Sequence, residues 1–118
     1  MPEKSRKPGE LEAAVLNALW DFPEGLTSTQ VHAILGDEAI AMTTLLTVLS
    51  RLVDKELVEK ESVGARSLIF KPAQSRERHV AEQLARSLAQ VDKPQLVFAH
   101  LKNLITPSSY EQIKNSFD

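Results

Sequence analysis

Apolar residues recur at helical spacing in three segments of the first half of the chain. Within residues 9–22 they fall at positions i, i+4, i+5 and i+8, which places them on one face of a helix. A third segment repeats the pattern with a regular period of about 3.6 residues, and its apolar residues are Leu45, Val48, Leu49, Leu52 and Val53. The pattern predicts three helices, of which the second is short and ends near residues 35–36.

The start of the second helix carries its own local signal. Thr27 can cap the helix by accepting a backbone hydrogen bond, while Gln30, three residues later, can reach back to the cap. Leu26 and Val31 have the spacing of a hydrophobic staple around that cap. The segment is therefore predicted to begin a helix at a capping box.

Two short strands are predicted to follow the third helix. Residues 57–62 and residues 66–71 flank a turn at residues 63–65, and apolar and polar residues alternate in the second strand, which ends at Pro72. Three helices followed by a two-stranded hairpin are the layout of a winged helix, a variant of the helix-turn-helix. The predicted fold is mostly α-helical with a small β-hairpin wing.

The chain becomes helical again from residue 75. Helices are predicted to start at Pro94 and Pro107 as well. The apolar residues that we expect at a dimer interface are Val80, Leu84, Leu88, Val91 and Leu101. Because a winged helix is complete without them, this seam must pack against something else. We therefore predict a winged-helix domain over residues 1–72 and a helical dimerisation region over residues 73–118.

Composition limits the function further. Fourteen Lys and Arg against sixteen Asp and Glu give a net charge of −2, although a basic domain is usual for proteins that bind nucleic acid. Seven of the acids precede residue 39, so the negative charge is partly carried by elements that could face away from DNA. The chain has no Cys, no stretch of the roughly 20 apolar residues that span a membrane, and a charged first segment without a signal-peptide core. A soluble cytoplasmic protein without membrane insertion is expected.

Residues that would indicate catalysis are weakly represented. The chain lacks the spaced motifs of zinc proteases, serine hydrolases and nucleotide-binding loops. His32, His79 and His100 fall on three different helices without ligand-like spacing, and Glu59 and Glu61 fit a solvated wing better than paired catalytic carboxylates. We expect no enzyme activity, no metal site and no cofactor.

The third helix carries the signal for DNA binding. Its polar face bears short hydroxyl side chains at Thr43, Thr44 and Thr47 and a cation at Arg51, a combination that can enter a major groove and contact base edges and phosphates. The alternative is an ordinary solvent-exposed helix face. Further cations that we expect to support DNA binding are Lys60 and Arg66 on the wing and Lys4, Arg6 and Lys7 in the first segment. The rival function is a winged-helix module that binds another protein and no DNA.

Three blocks of the sequence resemble the penicillinase repressor (BlaI/MecI/CopY) family. They are GELEAAVLNALW at residues 9–20, TLLTVLSRLVDK at residues 44–55, and Phe70-Lys71-Pro72 at the end of the wing. The resemblance covers nearly the whole chain, and the order and spacing of these blocks together are more specific than any single block. The resemblance implies a transcriptional repressor that binds an inverted-repeat operator in double-stranded DNA as a homodimer and controls β-lactam or stress-response genes. Thr43 and Leu46 stand where some family members have basic residues, so we expect a different operator preference.

The resemblance also implies a mode of induction. Members that respond to β-lactams look like repressors that a sensor protease cleaves in the dimerisation region, at an Asn-Phe bond. The equivalent bond here is Val97-Phe98, and Val in place of Asn puts cleavage in doubt. The alternative is that both residues belong to a hydrophobic core. Copper-responsive members carry a C-terminal cysteine cluster, which this chain lacks.

Overall fold

A computed structural model describes residues 8–117 of the chain. Its elements follow the order that the sequence predicts, which is three helices, a hairpin and three more helices. Their bounds are α1 Pro8–Asp21, α2 Ser28–Leu35, α3 Met42–Asp54, β1 Val58–Ser62, β2 Leu68–Pro72, α4 Arg76–Leu88, α5 Pro94–Leu104 and α6 Pro107–Ser116.

The core lies where α1, α2, α3 and the hairpin meet. The apolar stripe of α3 faces inward, with Leu45, Leu49 and Leu52 fully buried. It packs with Val15 and Leu19 of α1, which are also fully buried. Each such side chain contributes about 1.5–3 kcal/mol on burial. The predicted stripes of α1 and α3 therefore form one continuous core.

The capping box at the start of α2 is present as predicted. The Thr27 hydroxyl accepts the Gln30 backbone N–H at 3.1 Å, and the Gln30 side-chain oxygen accepts the Thr27 N–H at 2.9 Å. The helix ends at Gly36, whose φ of 65° lies in the left-handed region that suits glycine. Local sequence alone thus determines both ends of this eight-residue helix.

The hairpin is antiparallel, but its loop is longer than the sequence suggests. The second strand was predicted over residues 66–71, which would include Arg66 and Ser67. The last strand pair is Ser62 with Leu68, so these two residues lie in the loop instead. The reason is the hydrogen bond from the Val63 N–H to the Ser67 carbonyl, 2.9 Å, which closes a five-residue loop over residues 63–67. Arg66 consequently lies at the tip of the wing.

Leu26 pairs with the second strand of the hairpin through an isolated antiparallel β-bridge to Phe70. Its N–H donates to the Phe70 carbonyl at 3.0 Å, and the Phe70 N–H donates back to the Leu26 carbonyl at 2.7 Å. Both side chains are buried in the core. This bridge holds the residue before the α2 cap directly against β2.

The chain divides into two compact units, the first ending at His79 and the second beginning at Val80. The first turn of α4 therefore belongs to the unit of the winged helix, and Trp20 at the end of α1 contacts it. The Trp20 indole N–H donates to the Gln74 carbonyl at 2.9 Å, the Arg76 guanidinium lies 5.2 Å from the ring centroid, and the His79 ring lies 5.3 Å away. A hydrogen bond, a cation–π contact and a ring contact thus surround one side chain.

The second unit consists of the rest of α4 with α5 and α6. None of the residues described in these three helices is buried, although several are large and apolar. Leu84 is 56% exposed and Leu104 is 80% exposed. Within residues 8–117, no helix is long and apolar enough to cross a membrane.

Gly25 tests the close packing of the α1–α2 turn against β2. Its φ is +117°, and a Cβ there would lie 2.8 Å from Ile69 Cδ1. We expect Gly25→Ala to lower the free energy of unfolding by about 1–3 kcal/mol, through backbone strain and this contact. Urea denaturation at a fixed protein concentration measures the change.

Gly64→Ala provides the matched control. Gly64 also has a positive φ, +84°, but a Cβ there would meet nothing within 4 Å. It should therefore cost less than Gly25→Ala. Equal losses in the two variants would mean that contact with Ile69 contributes nothing.

Candidate nucleic-acid interface

The exposed face of α3 carries the four helix residues that the sequence singles out. Thr43, Thr44, Thr47 and Arg51 are all exposed, while the opposite face of the helix is buried in the core. The helix spacing brings them onto one continuous surface about two turns long. Every side chain of this set is thus accessible to a partner.

Thr47 is engaged within its own helix. Its hydroxyl donates to the Thr43 backbone carbonyl at 3.0 Å. The hydroxyl proton is therefore used inside the helix, and the side chain keeps only lone pairs and a methyl group for an external partner. Thr43 and Thr44 have no such bond described, so donors for base edges are expected from them first.

A groove of about 350 Å³ runs beside α3 between the start of α2 and the tip of the wing. It is lined by the α2 cap and first residues (27–29), by Leu46 of α3, and by residues 66–68 and Phe70 of the wing. Not one of these lining residues is acidic, and Arg66 is a cation. The α2 N-terminus adds the positive end of a helix dipole.

Five cations surround α3 and the wing, and ion pairs divide them into two groups. Lys55 Nζ lies 2.9 Å from Glu12 Oε1, and Lys71 Nζ lies 2.7 Å from Glu61 Oε1. Within residues 8–117 no ion pair is formed by the other three, which are Arg51, Lys60 and Arg66. The three cations that are available for phosphates are therefore the three predicted as contacts on α3 and the wing.

The three available cations do not form one cluster. Arg66 lines the groove, and Arg51 lies in the last turn of α3. Lys60 pairs with Phe70 in the hairpin register and does not line the groove. Lys4, Arg6 and Lys7 lie outside the described residues.

Sequence reasoning missed two parts of this surface, Leu46 and the residues at the start of α2. The capping box predicted where α2 begins, and a helix start is a known site for phosphate. That signal was available, but the nearness of the helix start to the wing depends on the Leu26–Phe70 bridge. Leu46 offered no polar chemistry and was counted only as a departure from the family pattern.

The histidines have structural environments. His32 Nε2 lies 2.7 Å from the Ile40 carbonyl, His79 packs on Trp20, and His100 is exposed on α5. Residues 8–117 contain no group of three or more side chains that could hold a metal ion.

The residues predicted for dimerisation all lie on the second unit, most of them on or just after α4. Val80 and Leu84 are exposed on α4, Leu88 is half-buried at its end, Val91 is exposed just beyond it, and Leu101 is half-buried on α5. A separate apolar groove of about 290 Å³ lies between α5 and α6. Apolar surface is therefore concentrated on this unit.

Val97 and Phe98 lie in the second turn of α5, and both side chains are exposed. The bond between them is part of a regular helix. A protease needs an extended backbone, so cutting here requires local unwinding of α5.

A family model for penicillinase repressors matches residues 8–118 of this chain. The chain belongs to the penicillinase repressor family. Curated relatives from two strains of Mycobacterium tuberculosis, each named transcriptional regulator BlaI, are 37% identical over 90 residues, which is 75% of this chain and 64% of theirs. The match thus spans less than two thirds of their length. The family is one of transcriptional repressors and not of enzymes, in agreement with the sequence.

Solved structures support the fold. A mutant of ZitR from Lactococcus lactis gives a TM-score of 0.51 at 18% identity, covering 99% of this chain and 75% of that one. The PcaV transcriptional regulator from Streptomyces coelicolor gives 0.51 at 22% identity, covering 98% and 73%. At these identities the likeness concerns the fold alone, and it confirms the predicted winged helix.

The wing ion pair gives a prediction for solution. The hydrogen bond and charge of Glu61 raise the pKa of Lys71 above its ordinary value, and Glu59 adds to this with its charge. We expect Glu61→Gln to lower the Lys71 pKa toward that ordinary value, because the neutral amide removes the charge. A pH titration followed by the NMR signal of Lys71 Cε measures it.

Glu59→Gln is the control for this pair. Glu59 acts on Lys71 only through its charge and is the weaker cause, so its removal should lower the Lys71 pKa less. If Glu61→Gln leaves the Lys71 pKa unchanged, Lys71 is not paired in solution and counts as a fourth available cation.

Proposed function

We propose that this protein is a transcriptional repressor that binds an inverted-repeat operator in double-stranded DNA as a homodimer. The observation that carries the proposal is the joined surface of α3, the α2 N-terminus and the wing tip. On that surface lie the exposed threonines of α3, Arg51 in its last turn and Arg66 beside the groove, and the groove has no acidic lining residue. Membership of the penicillinase repressor family supports it independently.

Major-groove binding follows from the shape and chemistry of α3. A B-DNA major groove about 12 Å wide admits a helix, and short side chains let the helix approach the base edges. Thr43 and Thr44 can donate to acceptors on bases, and Arg51 can bind a phosphate or a guanine. Arg66 and the α2 N-terminus would bind the adjacent backbone.

The net charge of −2 does not oppose this assignment, because the charges are unevenly placed. Glu12 lies against Lys55, and Glu61 lies against Lys71, so two of the acids nearest α3 and the wing are neutralised locally. The few free cations imply modest affinity for each subunit. A dimer that contacts two half-sites, about 34 Å apart, would combine two such weak contacts.

The second unit supplies the reason for a dimer. Its helices have 13, 11 and 10 residues, and isolated helices shorter than about 12–15 residues are marginal in water. With no buried residue among those described, they need a further surface to cover their apolar side chains. A second copy related by a two-fold axis provides a self-complementary one. We therefore assign residues 1–72 to DNA binding and residues 73–118 to dimerisation.

The proposal extends to regulation. The family resemblance implies that the protein acts in the cytoplasm and controls β-lactam or stress-response genes. It also implies release of the operator when a sensor protease cleaves the Val97-Phe98 bond. Cleavage there would separate residues 98–118, which include most of α5 and the whole of α6, from the rest of the dimerisation region. Loss of the dimer would then release the operator.

DNA binding should depend steeply on salt. Counterion release predicts a slope of about −0.9 per phosphate contact in a plot of log affinity against log salt. Arg66→Ala removes one cation from each subunit, so the slope should become shallower by about two units. Fluorescence anisotropy at several salt concentrations, with a duplex selected from a random pool, measures this.

Lys55→Ala is the matched control, since it also removes one cation, but one that Glu12 already pairs. Its slope should stay close to that of the unmodified protein. If no duplex can be selected, or if binding does not vary with salt, the protein is better described as a winged-helix module for protein binding.

The dimer should depend on the exposed face of α4. Replacing Leu84 and Leu88 with Asp would bury unpaired charges at an interface, which costs several kcal/mol. We expect a monomer by analytical ultracentrifugation and a large loss of operator affinity.

Gln83→Asp combined with Ser87→Asp is the control, because it adds the same two charges to neighbouring exposed positions of α4. That variant should remain a dimer. A dimeric Leu84→Asp, Leu88→Asp variant would show that α4 does not form the interface.

A further inference from the structure

Leu46 is an apolar residue on the face of α3 that is otherwise polar. It is 43% exposed and takes no part in the core, unlike its neighbour Leu45, which is fully buried. On the helix it lies one turn from Thr43 and Ser50, both exposed. A large apolar side chain at this place calls for an apolar feature in whatever α3 binds.

Thr47 adds to this apolar character. Because its hydroxyl donates to the Thr43 carbonyl, Thr47 has no proton left to donate and presents a methyl group beside the oxygen lone pairs. Leu46 and Thr47 are adjacent in sequence and both exposed. Together they offer a patch of methyl groups in the middle of the helix.

The groove indicates which partner meets this patch. Leu46 shares the groove with Arg66 and with the start of α2, both of which favour a phosphate, and none of its lining residues is acidic. A DNA strand whose phosphates lie against these groups presents its base edges to α3. In the major groove, the apolar feature of a base edge is the C5 methyl group of thymine.

We propose that Leu46 is a specificity-determining residue that packs against the C5 methyl group of one thymine in each operator half-site. Leucine can neither donate nor accept a hydrogen bond, so it favours thymine over cytosine only through this methyl contact. The inference rests on the proposed DNA binding, which it refines to a single base position.

The test replaces thymine with deoxyuridine, one position at a time, in the selected duplex. Deoxyuridine pairs as thymine does and lacks only the methyl group. We expect one position in each half-site at which the replacement weakens binding by about threefold to fivefold, the effect of exposing one methyl-sized group. In Leu46→Ala the same replacement should have no effect.

Leu68→Ala is the matched control. Leu68 is 44% exposed and lines the same groove, but it lies on the wing. This variant makes the same truncation and should keep the full sensitivity to the deoxyuridine at the Leu46 position. Circular dichroism should show that both variants are folded, since neither side chain belongs to the core.

Two results would overturn the inference while leaving the proposed function intact. In one, the protein binds its selected duplex but no deoxyuridine weakens binding. In the other, Leu46→Ala keeps the wild-type sensitivity at every position. Failure to select any duplex would instead overturn DNA binding itself, and the inference with it.

Discussion

Two hydrogen bonds between Leu26 and Phe70 hold the start of α2 against β2 and so bring two parts of the candidate interface together. Phe70 is buried in the core, so the bridge fixes β2 to the helices, and Leu26 immediately precedes the cap of α2. Without the bridge, the start of α2 and the wing tip would belong to separate loops. With it, the start of α2, Arg66 and Leu46 of α3 line one groove.

Ion pairs divide the described cations of this acidic chain into a paired and an unpaired group. Cations and acids are distributed so that Lys55 and Lys71 are paired, while Arg51 and Arg66 are free to meet phosphates. Exposed pairs of this kind contribute little to stability, about 0–1 kcal/mol. In the proposed function their larger effect is on recognition, because the paired cations offset the charges of Glu12 and Glu61, which would otherwise repel a phosphate backbone.

Local patterns determined the parts of the fold that could be predicted. The stripe of α3 and the capping box at Thr27 depend on residues three or four positions apart, and both are found. The hairpin loop was underestimated because its length is set by the hydrogen bond from the Val63 N–H to the Ser67 carbonyl, which the alternation of apolar and polar residues does not reveal. The pairing of Lys55 with Glu12, 43 positions apart, was equally beyond a local pattern. Leu46 was missed because its side chain has no polar group and because its place in a groove with Arg66 and the start of α2 depends on contacts between residues far apart in sequence.

The lack of buried side chains among the described residues of α4, α5 and α6 bears on how the amount of protein controls gene expression. If those helices are covered only by a second copy, the stability of the dimerisation region depends on subunit concentration. Below the dissociation constant, the amount of dimer rises with the square of the number of subunits. A cell that halves its supply of repressor would therefore lose more than half of its operator occupancy, and a gradual change in synthesis would produce a sharper change in transcription.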